Sequence, residues 1–125
     1  MKVTKEFLLE HFQIYNEQIF ENKLIVPVFT IYTSRCGPVA MFRINKKNNN
    51  PTIKINNSID WTEKTLVEIL IHEMIHQYVV TILKYNGIFS HGWKFLKLRW
   101  KIKKKIGIEI PLSGKHLSYK KKKSV

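Results

Sequence analysis

The sequence predicts a single α+β domain in which helices pack with a small antiparallel sheet. Three observations point there. Apolar residues recur at helical spacing in three segments, three short runs rich in β-branched and aromatic residues fall between the first two, and 125 residues suit one domain. A hydrophobic content of 44% is enough for a real core.

The first helix is predicted over residues 4–20, with Thr4 as its cap and Leu8, Phe12, Tyr15 and Ile19 at helical spacing. Pro27 opens a new element, and "VPVFTIYT" (26–33) has strand composition. "SRCGP" (34–38) is a turn, and "AMFRIN" (40–45) and "TIKIN" (52–56) read as strands paired in a hairpin across the polar "KKNNNP" (46–51). A second helix runs from about Trp61 to about Leu83. Asp60 can cap it, and Glu63 sits where it can complete a capping box. Leu66, Ile69, Leu70, Met74, Ile75 and Tyr78 make it apolar on more than one side, which predicts a central, largely buried helix. "YNGIFSHG" (85–92) breaks it, with Gly87 as the turn residue. A third helix follows from Trp93 to Ile106, ended by Gly107, and "IEIPL" (108–112) reads as extended. The domain is expected to occupy residues 1–118, with a basic disordered tail at 119–125.

The charge is lopsided. Of 22 basic and 9 acidic residues, residues 1–93 hold 10 and 8, whereas residues 94–125 hold 12 and only Glu109. Such a field suits a polyanion. No run approaches the roughly 18 apolar residues of a membrane span, and the N-terminus lacks the apolar stretch of a signal peptide. Cys36 is the sole cysteine, which excludes an internal disulfide or a cysteine-based zinc ribbon. A cytoplasmic monomer is the expectation.

His72-Glu73-Met74-Ile75-His76 interrupts the apolar second helix, where such groups are costly to bury unless satisfied. Residues four apart share one helix face, so His72 and His76 can grip one zinc ion. Glu73 lies roughly 100° around from His72, a poor ligand position but one from which a carboxylate reaches a water on the metal. That is the logic of zinc-dependent peptide hydrolysis, with Glu73 as general base. A catalytic zinc needs a third protein ligand. Position 82 is Ile82, which excludes a third histidine six residues beyond His76. Glu109 lies past the third helix. His91, just before that helix, has enough chain behind it to return to the metal and is the favoured third ligand. His116 and His11 are read as exposed or half-buried.

The motif "HEMIHQY" (72–78), the downstream "HGWKF" (91–95) and the upstream "YNEQIFENKL" (15–24) together resemble the SprT-like family over roughly residues 7–100. The resemblance implies a compact zincin-like fold with one zinc on His72, His76 and His91, Glu73 as base, and a peptidase activity. DNA-associated or DNA-crosslinked proteins are the implied substrates. The zinc ribbon that many relatives carry is missing, which leaves open whether DNA acts as activator.

In the third helix Lys94, Lys97, Lys101 and Lys104 form a basic stripe opposite Phe95, Leu98, Ile102 and Ile106, with Trp93 and Trp100 near the border. With Lys120, Lys121, Lys122 and Lys123 they suggest sequence-nonspecific contact with DNA phosphates. "MFRIN" or "TIKIN" could offer the edge along which an extended peptide lies. Tyr85, His116 and Tyr119 are conceivable oxyanion donors. Two rivals remain at this level: a regulator protease of another family with this motif, and a non-enzymatic DNA-binding module whose structural zinc takes a fourth ligand such as Cys36.

Overall fold

A computed structural model describes residues 1–45, 47–84 and 91–120. Its elements are α1 (Lys5–Phe20), β1 (Val28–Tyr32), β2 (Ala40–Ile44), β3 (Pro51–Asn56), α2 (Glu63–Thr81) and α3 (Trp93–Ile106). Gly87 and the rest of the segment 85–90 lie outside the described residues.

Thr4 caps α1, its hydroxyl accepting from the Phe7 amide at 3.1 Å. Leu8, Phe12, Asn16 and Phe20, each four residues on, form the buried stripe of this helix. Asn16 then folds the exit of the chain back. Its side chain donates to the Leu24 carbonyl at 2.8 Å and accepts from the Leu24 amide at 3.1 Å, so a buried amide satisfies two backbone groups at once.

The sheet is mixed rather than antiparallel. Its order is β1-β3-β2, with β1 parallel to β3 and β2 antiparallel to β3. After β1 the turn at 34–38 reverses the chain and lays β2 at the far edge. The hairpin reverses it again and drops β3 into the middle, so two reversals restore the direction of β1. The central place of β3 explains its burial: Ile53 and Ile55 are fully buried. It also removes "TIKIN" as a free edge and leaves β2 as the edge strand nearest α2.

Asn56, at the end of β3, holds the turn that starts β2. Its side chain bonds the Ser34 amide and carbonyl, the Pro38 carbonyl and the Ser58 amide. The fully buried amide therefore fixes residues 34–38 against the sheet.

Helix α2 is buried on most sides, from Leu66 through Val79. Its cap is Thr62, not Asp60. Thr62 and Thr65 make the reciprocal capping box, while the Asp60 amide is spent on the Ser118 carbonyl. Helix α3 turns Phe95 and Ile102 into the core and ends at Gly107, whose φ of 75° is the left-handed conformation glycine adopts without strain. Residues 108–112 form no strand. Tyr119 and Lys120, placed in the tail by the sequence, are tied back: Tyr119 bridges Ile59, and the Lys120 amide donates to the Ser58 carbonyl at 2.7 Å. Among the described residues no helix is long and apolar enough to cross a membrane.

Candidate metal centre

Helix α2 places His72 and His76 one turn apart on the same face, and the start of α3 brings His91 to meet them. The three Nε2 atoms form a nearly equilateral triangle with sides of 3.2, 3.1 and 3.1 Å. Neutral imidazoles have little reason to converge this way on their own. The Pro111 carbonyl can only accept, so His72 Nδ1 carries the proton at 2.7 Å from it, and His72 Nε2 presents a lone pair to the triangle. A tetrahedral ion about 2.0–2.1 Å from each nitrogen would set its ligand atoms about 3.3 Å apart. The triangle fits a divalent metal, and these three histidines are the metal-capable group found among the described residues.

The electrostatics agree. Burial pushes His72 down to about 4, opposed by the Pro111 hydrogen bond, and pushes His76 down to about 3, with His72 and His91 adding to the shift. Burial also lowers His91. All three imidazoles are thus held neutral, the form that binds a metal. Beneath them lies Phe95, 1% exposed, its ring centroid 4.9 Å from each of the three imidazole rings. Packing of this kind fixes the orientation of each ligand.

Glu73 shares the groove with the triad, and burial pushes its carboxyl up to about 8. A cation held on the neighbouring imidazoles would favour the carboxylate and pull that value down. The groove runs between two walls. One is the turn and edge strand from Gly37 to Phe42; the other is the segment from Leu112 to Tyr119. Apart from Glu73 and the histidines, Lys115 is the charged residue lining it. At Gly114 the walls nearly touch, for a Cβ there would stand 2.4 Å from Val39 Cγ2.

The other sequence candidates fall elsewhere. Glu109 pairs with Arg99 at 3.6 Å and Lys103 at 3.8 Å on the flank of α3. His11 stacks on Phe7 within α1. Cys36 is exposed in the turn and is not part of the histidine cluster. His116 is exposed, whereas Tyr119 lines the groove with its hydroxyl donating to the Gly37 carbonyl. Tyr85 and Lys121, Lys122 and Lys123 lie outside the described residues. Lys94, Lys97, Lys101 and Lys104 are all exposed on α3. Trp93 and Trp100 are not at the border of the apolar stripe but on the outward face.

Two contributors escaped the sequence. Tyr32, its hydroxyl donating to the Pro38 carbonyl, has its pKa raised by burial and then by the charges of Tyr119 and Glu73. Pro111 orients His72 through a backbone carbonyl, a group that leaves no mark in residue identity.

Two histidines on a buried helix, a third just ahead of the next helix and an acidic neighbour make a group that could hold a metal ion, as a domain of metalloprotease type would need. The SprT-like family model matches residues 8–116, most of the chain, and the protein belongs to that family. No curated protein matches it.

Proposed function

We propose that the chain is a zincin-like, zinc-dependent peptidase. His72, His76 and His91 would hold the zinc, which when bound would polarise a substrate carbonyl and lower the pKa of a water toward about 7. Glu73 accepts the proton of the attacking water and returns one to the departing amine. The substrate lies extended along the β2 edge, between the Gly37–Phe42 wall and the Leu112–Tyr119 wall, where main-chain hydrogen bonds hold it. The observation that carries this reading is the triangle of Nε2 atoms opening on the groove that also holds Glu73. Among the described residues no further cysteine or carboxylate joins the cluster, which supports an open coordination position over a closed structural site.

The exposed lysines 94, 97, 101 and 104 of α3, together with Lys120 to Lys123, would contact DNA phosphates without reading sequence. Proteins associated with or crosslinked to DNA are the substrates this suits, attacked by a monomer. The test is Glu73→Gln. The variant should retain one zinc per chain and lose hydrolysis of an unfolded protein substrate; full activity in it would remove Glu73 as the base.

A further inference from the structure

The groove in front of the three histidines is chemically uneven. Its volume of about 750 Å³ lies within the roughly 300–1,000 Å³ of ligand-binding clefts. Val39, Met41, Phe42, Ile69, Leu112 and Leu117 line it with apolar side chains. Against them, among the described residues, stands one lysine, Lys115.

The backbone of Lys115 is held in place. It sits in the turn closed by the Leu117 amide on the Gly114 carbonyl at 3.0 Å, and its own amide donates to the Ser113 hydroxyl oxygen at 3.4 Å. Gly114 beside it packs tightly on Val39 across the groove. The wall is also pinned at both ends: the Pro111 carbonyl accepts from His72 at 2.7 Å, and the Ser118 carbonyl accepts from the Asp60 amide at 2.8 Å. The ammonium, by contrast, is uncommitted. Arg99 and Lys103 share Glu109, and Lys23 meets Glu21, whereas Lys115 pairs with no acid among the described residues.

An extended peptide laid in this groove would strip water from the ammonium. A carboxylate replaces that water with a charge-assisted hydrogen bond, which an amide or a methyl group does not. A basic side chain at the same place would meet like charge from Lys115, and a cation held on the histidines would add to the repulsion.

We infer that Lys115 selects the substrate by pairing with a carboxylate of the bound peptide, supplied by an acidic side chain or by the chain's own C-terminus. The inference rests on the peptidase reading of this groove and names the peptides that reading takes.

The test uses the zinc-loaded full chain and a set of quenched peptides with one alanine- and leucine-rich frame. They carry Glu, Gln or Lys at a single position that is walked along the frame, each with a free or an amidated C-terminus. The carboxylate peptides should be cut about three- to fivefold better than neutral ones, through KM and not kcat, and the advantage should shrink with added salt. If a side chain is read, the cut should keep a fixed distance from Glu. If the terminus is read, the cut should keep a fixed distance from the C-terminus and amidation should abolish the preference. Lys115→Ala should bring the peptides near parity, Lys115→Arg should retain the order, and Lys115→Glu should reverse it in favour of Lys. Circular dichroism and zinc content should match the parent in each variant. Equal cleavage of Glu, Gln and Lys peptides with either terminus, or a preference that survives Lys115→Glu, would overturn the inference. If no peptide is cut, the peptidase reading fails, and anisotropy of the same peptides on the zinc-loaded Glu73→Gln chain decides the inference separately. Tighter binding of the carboxylate peptides, lost in Lys115→Ala, would uphold it; no binding, or no difference between peptides, would overturn it.

Discussion

Phe95 offers the sharpest perturbation of the metal centre that leaves its ligands untouched. The ring is 1% exposed and equidistant, at 4.9 Å, from His72, His76 and His91. Phe95→Ala removes the floor on which all three imidazoles rest. Loss of a buried phenyl costs about 3–5 kcal/mol, a large share of the roughly 5–15 kcal/mol that holds a domain folded. A supporting residue of this kind should also cost about 10–100-fold in metal affinity, as other outer-shell partners of metal ligands do. Phe95→Leu keeps apolar volume under the rings and should cost less on both counts. Thermal unfolding with and without zinc gives the first quantity, and competition against a chromophoric chelator gives the second. If Phe95→Ala loses stability as expected yet binds zinc as tightly as the parent chain, the ring is core and nothing more.

Two further outcomes follow from the site. In the metal-free protein Glu73 is pushed up to about 8, so it binds a proton that the unfolded chain has released, and stability should fall as pH rises from the ordinary carboxylate range through 8. His72 and His76 are depressed to about 4 and about 3, so their contribution is gained as pH rises from there to the ordinary imidazole range near 6.5. The histidines outnumber Glu73 below that range and Glu73 acts alone above it. Apo stability by denaturant titration should therefore peak near pH ~6.5 and decline toward pH 8 by at most about 1.4 kcal/mol per pH unit. At the groove, Gly114→Ala places a methyl 2.4 Å from Val39 Cγ2 and should destabilise by about 1–3 kcal/mol. Val39→Ala in the same chain should recover most of that loss in a double-mutant cycle, whereas strictly additive effects would mean that the walls do not touch.

How much of this was legible in the residues depended on whether the signal was local. The bounds of α3, Trp93 to Ile106 with Gly107 beyond, could be read because an amphipathic stripe and a left-handed glycine both write themselves into sequence. The meeting of His72 and His76 follows from helical spacing. The parallel pairing of β1 with β3 was not legible, since strand composition says nothing about which neighbour a strand takes. The cap of α2 was misread because Asp60 and Thr62, two positions apart, are both capping residue types; Thr62 takes the role through its reciprocal hydrogen bonds with Thr65. The influence of Glu73 on Tyr32 and the carbonyl of Pro111 on His72 arise only from tertiary packing.

Zinc K-edge absorption on the zinc-loaded full chain tests the central claim most directly. Three imidazole nitrogens at about 2.0–2.1 Å and one additional light atom are the expected shell. A sulfur at about 2.3 Å, which only Cys36 or a methionine could supply, or a shell with fewer than three imidazoles, would contradict a metal shared by His72, His76 and His91.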